Sequence, residues 1–201
     1  ATQLSLGHLI HHAPESATRG PWRGAGFELR TDALLALRAG EGILLSTTAR
    51  ANGQSTQMDV SETVGQLKAA EETAQALSDT AQQQGAQALK ANPEQTAFIK
   101  SIDPQQDGKY QGNIGGQPAT KAQPGSREPG DPTERFAQPH ILLEAPSDIS
   151  HASPASTLLY AGKSLHLTSQ QDLHIAAAHT HALAIGQGAS WYAHQGGIKS
   201  I

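Results

Sequence analysis

From Ile141 onward, apolar positions recur every eight residues. One register runs Ile141, Ile149, Thr157, Leu165, Leu173, His181, Ala189 and Gly197. A second, two residues on, runs Leu143, His151, Leu159, Leu167, Ile175, Leu183, Trp191 and Lys199. The residue between them points to the other side of a strand, because side chains alternate, and it is polar at Ser150, His166, His174 and Ser190. Leu142, Leu158 and Ile198 break that rule. Pro146, Pro154, Gly162 and Gly186 each fall five residues after the first register, where the chain must turn. The pattern predicts a short strand and a bend, repeated along the chain rather than paired into hairpins.

The same octad is visible earlier, with Phe27, Leu35 and Ile43 in one register and Leu29, Leu37 and Leu45 in the other. Residues 1–24 read as an irregular segment ending in a tight turn near Gly20 and Pro21. The predicted organisation is a first repeat segment over 1–50, an insert over 51–139, and a second repeat segment over 140–201. Within the insert, residues 58–91 contain no proline and place Leu67, Ala70, Ala74, Leu77, Ala81 and Ala88 near one helical stripe, with Ser61 as the expected N-cap. The stripe is mostly alanine, so this helix is expected to lean on a partner helix or on the repeat tract. A second helix is predicted after Pro93, over about 94–102, with Phe98, Ile99 and Ile102 on its contact face. The Gly- and Pro-dense stretch 103–139 reads as a long loop.

Composition narrows the picture. Only 4% of the 201 residues are aromatic and 37% are hydrophobic, a lean supply for a globular core, and stacked repeats need only a narrow one. Cysteine is absent, which excludes disulfides and thiolate metal sites. A formal net charge of −4 gives no basic footprint, so no nucleic-acid partner is expected. No apolar run has membrane-spanning length, so no stable membrane span is expected either. The start at Ala1 and the end at Ile201, in mid-repeat, read as cuts through a longer protein.

An octad holds one strand and one bend, so a single chain forms a narrow ribbon with unpaired backbone groups on both edges. Either one chain coils on itself as a monomeric β-solenoid serving as a protein-binding module, or three chains wind round a common axis. The favoured reading is mainly β: a triple-stranded β-helix, a trimeric prism of octapeptide repeats, carrying an α-helical and loop insert. Its trimer core is Ile141, Leu143, Leu159, Leu165, Leu167, Leu173, Ile175, Leu183 and Trp191.

Candidate chemistry is sparse. His8, His11 and His12 lack the glutamate that a hydrolytic zinc helix uses as general base. His166 and His174, one octad apart at the outward position, have no carboxylate to complete a metal site, and His151 and His181 fall inward. Gly162-Lys163-Ser164 looks like the end of a phosphate-binding loop, but the glycine needed five residues earlier is Thr157. No metal, cofactor or catalytic residue is therefore assigned, and the chain is read as not an enzyme. Tyr110 and Ile114 in the long loop, and Tyr192 at an outward position, are the candidate partner-binding residues.

Several stretches resemble a known family. Gly7-His8-Leu9-Ile10-His11-His12, the run Gly24 to Ala33, the run Arg38 to Thr47, Glu134-Arg135-Phe136-Ala137-Gln138-Pro139 and Gly196-Gly197-Ile198-Lys199 are similar to the C-terminal shaft of VgrG spike proteins of bacterial type VI secretion. The resemblance implies a homotrimeric spike, related to phage cell-puncturing needles, whose partners are effector or adaptor proteins and other spike and tube components. It also implies residence in the cytoplasm before firing, then delivery through the secretion apparatus into a target cell.

Overall fold

The computed structural model describes residues 2–10, 17–49, 58–103, 113–114, 117–120, 129–131, 133–134 and 136–198. It is built of strands and extended chain with two helices, in two compact units, 1–39 and 40–201.

The first unit contains an antiparallel pair, β1 (Thr2–Ile10) and β2 (Trp22–Thr31), in register from Thr2↔Thr31 to a shift between Leu9 and Ile10. This corrects the expectation of an irregular segment over residues 1–24. Leu4 sits opposite Leu29 and Leu6 opposite Phe27, so the two alternating leucines find aliphatic and aromatic partners across the pair. On β2, Arg23 donates to both carboxylate oxygens of Glu28, at 3.1 and 2.9 Å. That fork holds the Glu28 carboxyl below its ordinary range and the Arg23 guanidinium above its own.

In the second unit, β3 (Gly42–Ser46) pairs in parallel with β7 (His140–Glu144), Ile43 opposite Ile141 and Leu45 opposite Leu143. This pairing closes the base of the insert. Gly42 is required there: its φ is +131°, and a Cβ would lie 2.5 Å from a Phe136 ring carbon and 2.9 Å from the His140 carbonyl oxygen.

Helix α1 spans Ser61–Gln83 and α2 spans Asn92–Ile102. Ser61 is not the N-cap. It is the first helical residue; Val60 holds the cap position without a side-chain capping bond, and the Ser61 backbone N–H donates to the Asp59 carboxylate at 3.1 Å. α1 stops well before Ala88 because Gly85, at φ +79°, turns the chain, with Ala86 N–H returning to the Ala81 carbonyl at 2.9 Å. α1 leans on α2: Thr96 donates to Glu71 and Asn92 to Gln75 at 3.3 Å, while in the connection between the helices Leu89 N–H donates to Ser78 Oγ at 3.0 Å. The long Gly- and Pro-rich stretch is not all loop. It carries β4 (Asn113–Ile114), β5 (Gln117–Thr120) and β6 (Thr133–Glu134), with β4 antiparallel and β6 parallel to β5.

After Glu144 the described chain is extended, with bends at 146–147, 154–155, 162–163, 170–171, 178–179, 186–187 and 194–196. It changes direction every eight residues. No described residue of 145–198 pairs with another strand of its own chain.

Candidate functional site

The insert and the extended tract meet along one line of side chains. Val60, Val64, Ile102, Phe136 and Leu142 form the buried cluster, edged by Leu44, Met58, Leu67 and Phe98. Leu142 is only 5% exposed, although the octad pattern places it outward. Its neighbours Ile141 and Leu143 are exposed. The outward face of β7 is thus covered by the insert, and that is why a leucine occupies a position polar at Ser150 and His174. Glu144, also on that face and buried, accepts hydrogen bonds from Ser46 and from Thr48 Oγ1 at 2.8 and 2.9 Å, fastening the chain as it leaves β3. His140 is wedged against Phe98 and Phe136, with ring centroids 5.0 and 5.8 Å away, and its Nε2 lies 3.3 Å from Ser101 Oγ. Burial pushes the His140 pKa down.

α1 then runs along the tract and touches it at intervals of three octads. Ser164, His166 and Thr168 line a groove of about 420 Å³ with Leu67, Ala70, Glu94, Gln95 and Phe98. Thr73 Oγ1 reaches the Gln170 side chain at 3.1 Å. Further on, Ser190, Trp191 and Tyr192 line a second groove of about 300 Å³ with Leu77, Ser78, Ala81, Gln87 and Leu89, and Gln87 N–H donates to Ser190 Oγ at 3.2 Å. Leu142, His166 and Ser190 are spaced by twenty-four residues. The octads between them, including Ser150, Leu158, His174 and Ala182, are exposed throughout.

His166, at an outward position, is half-buried beneath the helices rather than open to solvent, whereas His174 is exposed. His8 stacks on Trp22 at 6.1 Å between ring centroids. Among the described residues no group of three His, Cys, Asp or Glu side chains is placed to hold a metal ion, and no helix is long and apolar enough to cross a membrane. Ile141, Leu143, Leu159, Leu165, Leu167, Leu173, Ile175, Leu183 and Trp191 are all more than half exposed on the single chain. Tyr192 is half-buried at the end of α1, its hydroxyl 3.2 Å from His194 Nδ1. Ile114 lies in β4, and Tyr110 lies outside the described residues. Sequence reasoning missed the seam itself: its signal was the apolar residue at Leu142, at a position that is polar at Ser150, His166, His174 and Ser190.

Residues 1–81 match the family described as "Putative type VI secretion system Rhs element Vgr", and residues 128–201 match "Uncharacterized protein conserved in bacteria (DUF2345)". The chain is 31% identical to the type VI secretion system spike protein VgrG2b of Pseudomonas aeruginosa and 30% identical to VgrG2a of the same organism. Both matches cover all of this chain but only 18% and 21% of those proteins, so the chain spans about a fifth of the curated relatives it matches. Two solved structures share the fold over the whole chain at a TM-score of 0.75 and 23% identity. They are the VgrG spike of the type VI secretion system, covered over 62% of its chain, and the same kind of spike with the Tle1 effector bound, covered over 50%. The chain belongs to the VgrG spike proteins of type VI secretion.

Proposed function

We propose that this chain is a shaft segment of a homotrimeric spike, in which three copies wind into a triple-stranded β-helix whose stiffness lets it puncture a target cell and carry effectors. In this reading 1–50 and 140–201 are shaft, 51–139 decorates it, and Ile141, Leu143, Leu159, Leu165, Leu167, Leu173, Ile175, Leu183 and Trp191 face the common axis. The role is mechanical rather than catalytic, in keeping with relatives that are named as spike proteins.

The observation that carries the reading is a distance. Between the groove at His166 and the groove at Ser190, the lining residues of α1 advance from Leu67 and Ala70 to Leu77 and Ala81, ten or eleven positions. At 1.5 Å per residue that is roughly 15 Å along the helix. Three strand spacings span about 14 Å, whereas adjacent strands are only about 4.8 Å apart. A single chain coiled as a solenoid would bring residues twenty-four apart into neighbouring, hydrogen-bonded strands. Here the advance leaves room for two further strands, and the absence of own-chain pairing in the described part of 145–198 agrees with strands supplied by two other copies.

Light scattering on the purified chain tests this: three copies per particle are expected, and a stable monomer overturns it. For the carrier role, deletion of residues 58–136 separates shaft from insert. Effector or adaptor proteins, and other spike and tube components, are the expected partners in a pull-down read by mass spectrometry. The spike is cytoplasmic before firing and is then delivered through the apparatus.

A further inference from the structure

We propose that the groove beneath Leu67, Ala70 and Phe98 is the seat for a strand of a second copy of this chain, the one carrying Leu158 and Tyr160, so that each insert clamps its neighbour's shaft. The proposal rests on the threefold reading above and names the surface through which one copy holds the next.

The occupant follows from the winding. If a chain returns to the same face every third octad, an octad advances one strand spacing along the axis. Between the Leu142 strand and the His166 strand of one copy there are then two places. One is filled by the Ser150 octad of one neighbour, the other by the Leu158 octad of the other neighbour. The second lies directly beside the His166 strand. Parallel strands in step place Ser156, Leu158 and Tyr160 of that neighbour next to Ser164, His166 and Thr168, the three residues that line the groove.

The chemistry of the two surfaces matches. Leu158 and Tyr160 are 89% and 94% exposed on the single chain, and being two apart on a strand they point the same way, outward. The corresponding outward residue is polar in the exposed octads at Ser150 and His174, so a leucine at 158 repeats the exception of Leu142, which the insert covers. The groove offers Leu67, Ala70 and Phe98 to an aliphatic side chain. It also holds two buried atoms without a hydrogen-bond partner, Gln95 Oε1 and His166 Nε2. Such atoms are costly if left unmatched, and the Tyr160 hydroxyl supplies a group able to pair with one of them.

The chain has no cysteine, so paired substitutions report the contact without background. Leu158→Cys combined with Ala70→Cys is expected to give, on oxidation, a covalent trimer on a denaturing gel that reverts to monomer on reduction, while neither single variant does. Light scattering on the same samples separates the two levels of the argument. A particle of three copies that forms no link between chains overturns the clamp and leaves the shaft standing. A monomeric particle, or a link formed within one chain, overturns both. Should the double variant fail to assemble, nitration of the unsubstituted trimer decides: Tyr160 is expected to react at least roughly tenfold more slowly than in the denatured chain. Reaction at the denatured rate means the pair faces solvent or an effector instead, and the clamp is wrong.

Discussion

Two positions, Lys68 beside a buried carboxylate and Gly42 in β3, cannot be exchanged without loss. Asp103 is almost fully buried and lies 2.6 Å from Lys68 Nζ, whose side chain is 42% exposed. Lys68→Met keeps the aliphatic stem but removes the cation from a buried carboxylate. Breaking a fully buried pair costs about 3–5 kcal/mol, and the exposed lysine end reduces this to about 1–2 kcal/mol, read as a shift of the urea midpoint at unchanged slope. Gly42→Ala is expected to cost more, about 2–4 kcal/mol, because the new methyl meets the Phe136 ring and a carbonyl while the backbone is held at φ +131°. Gly40→Ala, with open space around it, is the matched control. Equal melting temperatures for the two variants would show that β3 approaches Phe136 less closely than described.

At the scale of elements, His140 makes the docking of the insert pH-dependent. Its folded pKa is lowered below the ordinary 6.5 by burial, so protonation favours the undocked state. Its contribution is complete above pH 6.5 and is lost as the pH falls through the depressed folded value. The melting temperature of the insert should therefore be lower at pH 5.5 than at pH 7.5. His140→Phe, which keeps a ring between Phe98 and Phe136, should flatten that part of the profile; an unchanged slope would assign it to other groups. How far these elements were legible in the sequence follows from their physics. The helices were readable because a proline-free run of helix formers, and a second run opened by Pro93, need no distant partner, although the first helix's cap and end were misplaced at Ser61 and Ala88. The bends were readable because proline and glycine act locally. The β1–β2 pair was not, since it rests on Leu4 and Leu6 meeting Leu29 and Phe27 on the partner strand, and two alternating leucines ending at Gly7 are too short a pattern to announce a strand. The β3–β7 pairing, about a hundred residues apart in sequence, was equally hidden. The seam left one trace, the unexplained leucine at 142, and a tract of octads cannot say which outward position an insert will cover until the insert's own path is known.

For the whole molecule, the single chain exposes a line of aliphatic side chains that no monomer in water retains without a partner. Burying one leucine is worth roughly 1.5–3 kcal/mol, and a threefold axis buries three copies of each. Leu167→Asp replaces three such contributions by three carboxylates held close together in an apolar setting, where each charge is penalised for lost hydration and for the others' presence. On the proposed threefold reading, the variant is expected to be monomeric at concentrations where the parent chain assembles. Helix α1 and α2 are held by Val60, Val64, Ile102, Phe136 and Leu142 within one chain, so far-ultraviolet circular dichroism should keep its helical signal. Loss of the trimer with the helices retained places Leu167 on the axis and the insert outside it. A variant that remains a trimer, with melting unchanged, would put Leu167 on the outer surface and reverse the inward and outward faces of the shaft.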